Sequence, residues 1–464
     1  MKNHHSRRTF LKTGGALIAG HSIGNAASSL FTRKDAPYAE QDPSVSVLNP
    51  RDRVPLSFIV DDSTCLVNLG YFCTPQFGAA FPEREVYKKD WRSWPREIPD
   101  AFVREFGEWC AAHGVKGKYS IVPNPACVGW LDRELPGWTR RELRDSLKLV
   151  RELMVPNWDI HPEMITHTRV IDIRTGRPFP GVGAHNIENS WPQEKKSVDE
   201  IAAYIAYALR ILKNCDLPCE GITTPGGMGN LVKSELSLAV QQAVRDVYQV
   251  DLPHYFKYVH AKADEDVQPI MEHLSGLGTD DVRVTVNVPC ATGDWFGGWQ
   301  GDRVPKGHRY ASNDASSGRL VDLIKRGQPA IMLCHWQGMY SNGSKAGFIS
   351  FQKVVTALHR GFRDETIWMK VSEIGRYWAA KDLTTIQRLG NRLELDSPFG
   401  TNAFTLRIAN TKLTSPRVRT GENTSMLKRV ANRTGLSNNT WYQDEDDALV
   451  CVNLPRRKTS IEWT

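Results

Sequence analysis

Three places in this chain combine residue types that hold metal ions and move protons. The first is Asp61-Asp62, which closes the apolar run Pro55-Leu56-Ser57-Phe58-Ile59-Val60. A short apolar run of this kind predicts a buried strand that delivers both carboxylates at its C-terminal end. Neighbouring strand residues point to opposite faces, but alternation relaxes where the strand stops, so both acids can reach one cleft. One can then bind a metal while the other takes a proton from water, and their repulsion separates their proton affinities. The second place is Trp158-Asp159-Ile160-His161-Pro162-Glu163-Met164-Ile165-Thr166-His167-Thr168. Its two histidines and its acids suit zinc or another divalent ion. Histidines six apart do not share a helix face, so they are expected to meet from a turning loop. The third is Ile331-Met332-Leu333-Cys334-His335-Trp336, where an apolar run ends in a histidine at the same kind of position as the two aspartates.

Softer candidates surround these. Thr223-Thr224-Pro225-Gly226-Gly227 follows a short strand and is expected to shape the cleft or offer backbone N–H donors. It has neither GxGxxG spacing nor a phosphate-loop lysine, so it does not read as a nucleotide site. Asp294-Trp295 and Glu373 sit near strand exits. With Thr224, Gly226 and Trp336 they make up the expected substrate-binding set. His185 and Glu188 are candidate spare ligands, and each of these softer candidates is expected to be structural before it is catalytic.

The elements that must position these groups alternate. Strands are expected at 55–60, 115–122, 157–165, 220–224, 282–288, 330–334 and 366–371. Helices are expected at 99–112, 139–154, 198–212, 318–325 and 351–360, with a long loop over 71–98. Helix 139–154 carries a capping box, Thr139 with Glu142. Such alternation predicts an α/β fold, a parallel sheet or (β/α) barrel, and strand C-termini line the active site of a barrel. From 383 onward the pattern becomes strand alternation with turn residues, which predicts an all-β, sandwich-like domain. The expected organisation is a targeting peptide over 1–30, a linker or wrapping arm over 31–53, a catalytic domain over 54–382 and an accessory domain over 383–464.

Composition narrows the function. The 464 residues are 41% hydrophobic and 24% charged, ordinary globular values, and the net charge of +7 comes without a basic tail or stripe. Nucleic acid is therefore not an expected partner, and no run reaches the ~18–20 apolar residues of a membrane span. Nine cysteines are too few for a disulfide scaffold. Cys65/Cys73 and Cys215/Cys219 are the close pairs. The N-terminus, Arg7-Arg8-Thr9-Phe10-Leu11-Lys12 before a short apolar stretch and small residues, resembles a twin-arginine signal. That implies a bacterial protein exported to the periplasm or beyond.

The three places together resemble the polysaccharide deacetylase (NodB-homology) family over about residues 55–375. Phe58-Ile59-Val60-Asp61-Asp62 is similar to the family's first motif, Glu163-Met164-Ile165-Thr166-His167-Thr168 to its second, and Leu333-Cys334-His335 to its last. The resemblance implies an irregular (β/α) barrel and one divalent metal ion, most readily zinc. It implies a hydrolase that removes acetyl groups from N-acetylated carbohydrate, or acyl groups from O-acylated carbohydrate. Asp61 would be the base, Asp62 and His167 metal ligands, and His335 the general acid. The family places a second histidine four residues after the first, where this chain has Ile171, so His161 or Asp172 is expected to substitute. The arginine of the third motif is absent from Thr224-Pro225-Gly226. Two alternatives stand beside this reading: a glycoside hydrolase pairing Asp61 or Asp62 with Glu373, and a non-catalytic carbohydrate-binding protein.

Overall fold

A computed structural model describes residues 39–464. The expected targeting peptide, 1–30, and the first part of the 31–53 arm lie outside the described residues.

The fold is mixed α/β and is organised by parallel strands. We label seven of them β1 (Val54–Asp61), β2 (Gly117–Ser120), β3 (Trp158–His161), β4 (Gly221–Thr223), β5 (His254–Phe256), β6 (Arg283–Asn287) and β7 (Ala330–His335). One sheet runs in the order β7-β1-β2-β3, with Thr366–Trp368 also paired to β1. A second runs β4-β5-β6, edged by the antiparallel strand Ile270–Ser275. Isolated parallel bridges join the two sheets at both margins, Glu163 to Thr223 and Asp294 to Leu333. The seven parallel strands therefore follow one circuit.

Alternation sorts the side chains of the circuit. Phe58 and Val60 point outward to the helices, whereas Ile59 and Asp61 point inward. Lys118 and Ser120 of β2 pair in register with Asp159 and His161 of β3, which fills that part of the interior with polar groups. On the outer face, the Phe58 ring stacks on Phe351 at 4.4 Å between centroids and meets Phe106, Trp158 and Phe296 at 6.0–6.4 Å. The helices Asp100–Ala112 and Ala346–Phe362 supply Phe106 and Phe351.

Caps start the surface helices where the sequence marks them. Thr139 accepts from the Glu142 N–H while Glu142 accepts from the Thr139 N–H at 2.6 Å, and Ser197 with Glu200 repeats the device at Val198–Asn214. Two expectations are corrected. The 71–98 loop begins as a helix, Leu69–Ala80, capped by the Asn68 side chain and burying Leu69, Cys73 and Phe77 one turn apart. That burial outweighs the helix-breaking signal of Pro75. The strand expected over 366–371 stops at Trp368, and the helix Val371–Leu383 follows.

From Thr385 to Glu462 the elements are strands and one short 3₁₀ turn, and the strands form a sheet of five and a sheet of four. Val45–Val47 of the N-terminal arm is the fifth strand of the smaller one, antiparallel to Thr401–Ile408. No helix of the described residues is long and apolar enough to cross a membrane. All nine cysteines are unpaired.

Phe58 is wholly buried among four rings, so Phe58→Ala should lower unfolding free energy by about 3–5 kcal/mol. Urea or guanidinium titration reads this directly. A loss below about 1 kcal/mol, the scale of a tolerated surface change, would contradict the packing described here.

Candidate active site

The chemistry-bearing residues converge at the C-terminal ends of the strands. β1 ends at Asp61, and Asp62 immediately turns into the left-handed region with φ +59°. A non-glycine residue pays for that conformation in strain, and the surroundings must hold it there. Two side chains do so: Glu163 Oε2 accepts from the Asp62 N–H at 2.8 Å, and Gln337 Nε2 donates to the Asp62 carbonyl at 3.0 Å. This turn is how two consecutive aspartates come to serve one site.

Beyond β3 the chain leaves the sheet, and the loop 162–168 carries Glu163 and His167. Met164 and His167 both have positive φ. The buried Glu188 carboxylate gathers this loop, accepting from the N–H groups of Ile165, Thr166 and His167 at 2.6–3.2 Å and from the Tyr204 hydroxyl at 2.6 Å. Burial pushes the Glu188 carboxyl up to about 7 against those bonds. Glu188 thus has the structural role favoured for it over that of a spare ligand: it holds the loop that bears Glu163 and His167.

Asp62, Glu163 and His167 form a buried three-donor group, each offering an atom within 4.8 Å of the others. His167 Nε2 lies 2.7 Å from Asp62 Oδ1 and 3.6 Å from Glu163 Oε1. Asp62 Oδ1 has no hydrogen-bond donor despite that closeness. These buried atoms, with a second carboxylate oxygen in reach, lie close enough together to serve one cation. Oxygen and imidazole nitrogen are also the donor types that divalent ions take. The group fits a divalent cation on both counts. Burial opposes an imidazolium here, but the Asp62 charge drives His167 well above its ordinary value.

His161 is corrected. It is wholly buried inside the circuit, with Nε2 2.8 Å from His254 Nε2, and belongs with Asp159 and His254 rather than with Asp62 and His167. β3 still holds its alternation at His161, and the chain turns to the site only after Pro162. Glu163, four residues before His167, occupies the place for which His161 or Asp172 was expected. Asp172 is near the surface, paired with Arg174.

The other side of the site is a proton-transfer pair. His335 ends β7 and is the in-register neighbour of Asp61 on β1. Its Nδ1 lies 2.8 Å from Asp294 Oδ2, which also accepts from the His335 N–H. Burial pulls the imidazolium down, but the bond to Asp294, with the charges of Asp62 and Asp61, carries His335 up to about 9. Asp294 is thus committed to His335 and is not free for substrate. Asp61 Oδ1 accepts from Lys118 Nζ, a contact the sequence reading missed. Burial and the Glu163 charge raise the Asp61 carboxyl to about 7, with Lys118 and His335 opposing. At 16% side-chain exposure His335 is the most open of these groups.

The expected substrate-binding set divides. Trp295 is half-buried beside Asp294, its ring 4.8 Å from Tyr310 and under the Arg309 guanidinium at 4.1 Å. Trp336 is wholly buried against Phe102 and Phe106, so it is core and no sugar platform. Glu373 caps the helix Val371–Leu383 and bridges to Lys116 at 3.3 Å, ahead of β2 and at the opposite end of the strands. This separates it from both aspartates and removes the carboxylate pair of the glycosidase alternative. Thr224 is buried, with its N–H bonded to the Phe256 carbonyl, and Gly226 makes a left-handed turn against Asn189. Both shape the loop rather than present donors. His185 lies in a short turn outside the three-donor group. Beside the three-donor group Phe77 faces the His167 ring at 6.2 Å, and Tyr87 and the half-buried Trp299 continue that aromatic wall.

Among solved structures, a Mycobacterium smegmatis protein assigned to the polysaccharide deacetylases is similar at 10% identity over 76% of this chain and 98% of its own, with a TM-score of 0.38. A Parabacteroides distasonis protein assigned as a glycoside hydrolase or deacetylase is similar at 11% identity over 83% and 85%, with a TM-score of 0.37. A mutant of a CE4-family pseudoenzyme with restored activity is similar at 10% identity over 71% and 70%, with a TM-score of 0.27. Polysaccharide deacetylases are therefore among the structural neighbours. No protein-family model and no curated protein matches the chain.

Of the contacts that raise His335, the bond to Asp294 is the largest. In Asp294→Asn the histidine should titrate about one to three pH units lower, as followed by NMR of the imidazole carbon protons. An unchanged titration would show that Asp294 does not govern it.

Proposed function

We propose that this chain is a metal-dependent carbohydrate deacetylase. The observation that carries the reading is one face holding three things at once: a three-donor cation group, a separate carboxylate beside it, and a carboxylate-backed histidine across from that carboxylate. Hydrolysis of an acetamide needs these roles. Asp62, Glu163 and His167 would hold a divalent cation, which when bound would supply Lewis acidity toward a carbonyl and a water. Zinc, expected from the sequence, is compatible with these donors, and two carboxylates to one imidazole extend the range toward harder ions such as manganese. Asp61 takes a proton from the attacking water. His335, protonated through Asp294, gives a proton to the departing nitrogen. The acetamide carbon–nitrogen bond breaks, a carbon–oxygen bond forms, and the products are acetate and the sugar amine. The half-buried rings of Trp295 and Trp299 are the aromatic faces this reading assigns to contact with the sugar. The same groups can cleave an O-acetyl ester, whose leaving alcohol also needs a proton.

In this reading the seven-strand circuit is an irregular (β/α) barrel and the two C-terminal sheets are a sandwich-like accessory domain. The organisation 1–30, 31–53, 54–382 and 383–464 belongs to the same proposal, with the arm strand Val45–Val47 tied to the accessory sheet. So do the carbohydrate partner and export to the periplasm through Arg7-Arg8.

The test is acetate release from an N-acetylglucosamine oligomer by the purified protein loaded with zinc or manganese. Chelation should abolish release and the added ion restore it. His335→Ala should lower kcat about 10²- to 10⁴-fold. A protein that binds the ion but releases no acetate from N- or O-acetylated sugar would overturn the reading.

A further inference from the structure

A lysine with no exposed surface needs a reason to be there. Lys118 lies in β2 with its side chain wholly buried. An ammonium in that position must be paired and hydrogen-bonded. Its Nζ donates to Asp61 Oδ1 and, at 2.8 Å, to Ser120 Oγ. The Phe256 ring covers a further side, 5.4 Å from Nζ to its centroid. In register, Lys118 sits opposite Ile59, two residues before Asp61. The ammonium therefore reaches Asp61 from the interior of the circuit, away from the strand-end side that bears Asp62, Glu163 and His335.

We infer that Lys118 is the positioning residue for the Asp61 carboxylate, an inference that rests on the deacetylase reading. Two consequences follow from the geometry. The described contacts of the carboxylate, Lys118 and the 3.5 Å approach of Ser120 Oγ, both fall on Oδ1. One oxygen is thereby fixed, and Oδ2 is the one that takes the proton from water. The second consequence concerns the adjacent cation group. Asp61 neighbours Asp62 in sequence, and a loose carboxylate there is drawn to a divalent ion as a further ligand. The ammonium behind it holds Asp61 back from that role. Lys118 thus divides the labour between two consecutive aspartates: one binds, the other accepts a proton.

The experiment is a double-mutant cycle on the metal-loaded protein, with Lys118→Met, Asp61→Asn and the double variant. Manganese binding by calorimetry is measured beside the kinetics of acetate release from an N-acetylglucosamine oligomer. Lys118→Met should lower kcat about 10²-fold or more and leave KM within about threefold, while binding of one ion per chain persists. In the Asp61→Asn background, Lys118→Met should cost nothing further, because the lysine acts through that carboxylate. This last comparison also covers the case in which Lys118→Met alone fails to fold, since the double variant removes the buried charge on both sides. Equal kcat in wild type and Lys118→Met, or full multiplication of the two losses in the double variant, would overturn the inference and leave the deacetylase reading standing. A wild-type protein that binds manganese and releases no acetate would overturn both.

Discussion

Buried carboxylates govern this structure. Asp61, Asp62, Glu163 and Asp294 lie together at the strand ends, each with less than a tenth of its side chain exposed. Unpaired, charges in such a place cost several kcal/mol apiece. Lys118 answers Asp61 and His335 answers Asp294. Asp62 and Glu163 remain, two negative charges sharing one imidazole. A divalent ion would balance that pair with His167 neutral, and the three donor atoms already lie within 4.8 Å of one another. Electrostatic balance and coordination chemistry thus give the same answer from independent starting points.

The balance also explains the irregular backbone. Asp62, Met164 and His167 all adopt left-handed conformations; Asp62 directly follows β1, and the other two lie in the loop that carries Glu163 and His167 away from β3. Glu163 both offers a ligand oxygen and clamps the Asp62 N–H, so the two halves of the group, far apart in sequence, set each other's position. Glu188 braces the loop from behind through three backbone N–H groups. Substrate-side and support-side carboxylates therefore have different jobs within a few ångströms.

Much of this was legible in the sequence, for a simple reason: apolar runs that stop at Asp61-Asp62 and at His335 announce strand ends, and strand ends of one circuit share a face. The parts that were not legible depend on parity and on where strands stop. His161 and Glu163 are two residues apart, yet only the second lies past the strand's end. The spacing signal was present, since Glu163 stands four residues before His167, but a search running forward from His167 meets Ile171. Lys118 gave no local sign, because a lysine in a short strand reads as solvated until the register places it beneath Asp61. Glu373 and Trp336 were misplaced by treating every position after an apolar run as cleft. A cap and an aromatic core claimed them.

Deeper in the circuit, His161 and His254 face each other with Asp159 close by. Burial drives both imidazoles down, His254 to about 4, and their Nε2 atoms lie 2.8 Å apart. The pair is the natural competitor of the strand-end group for an added ion. The most direct test of the account is therefore an anomalous-diffraction map from crystals grown with manganese. The account predicts one strong peak bounded by Asp62, Glu163 and His167. A peak between His161 and His254 with none at the strand ends, or no peak at a concentration that saturates binding in solution, would contradict it.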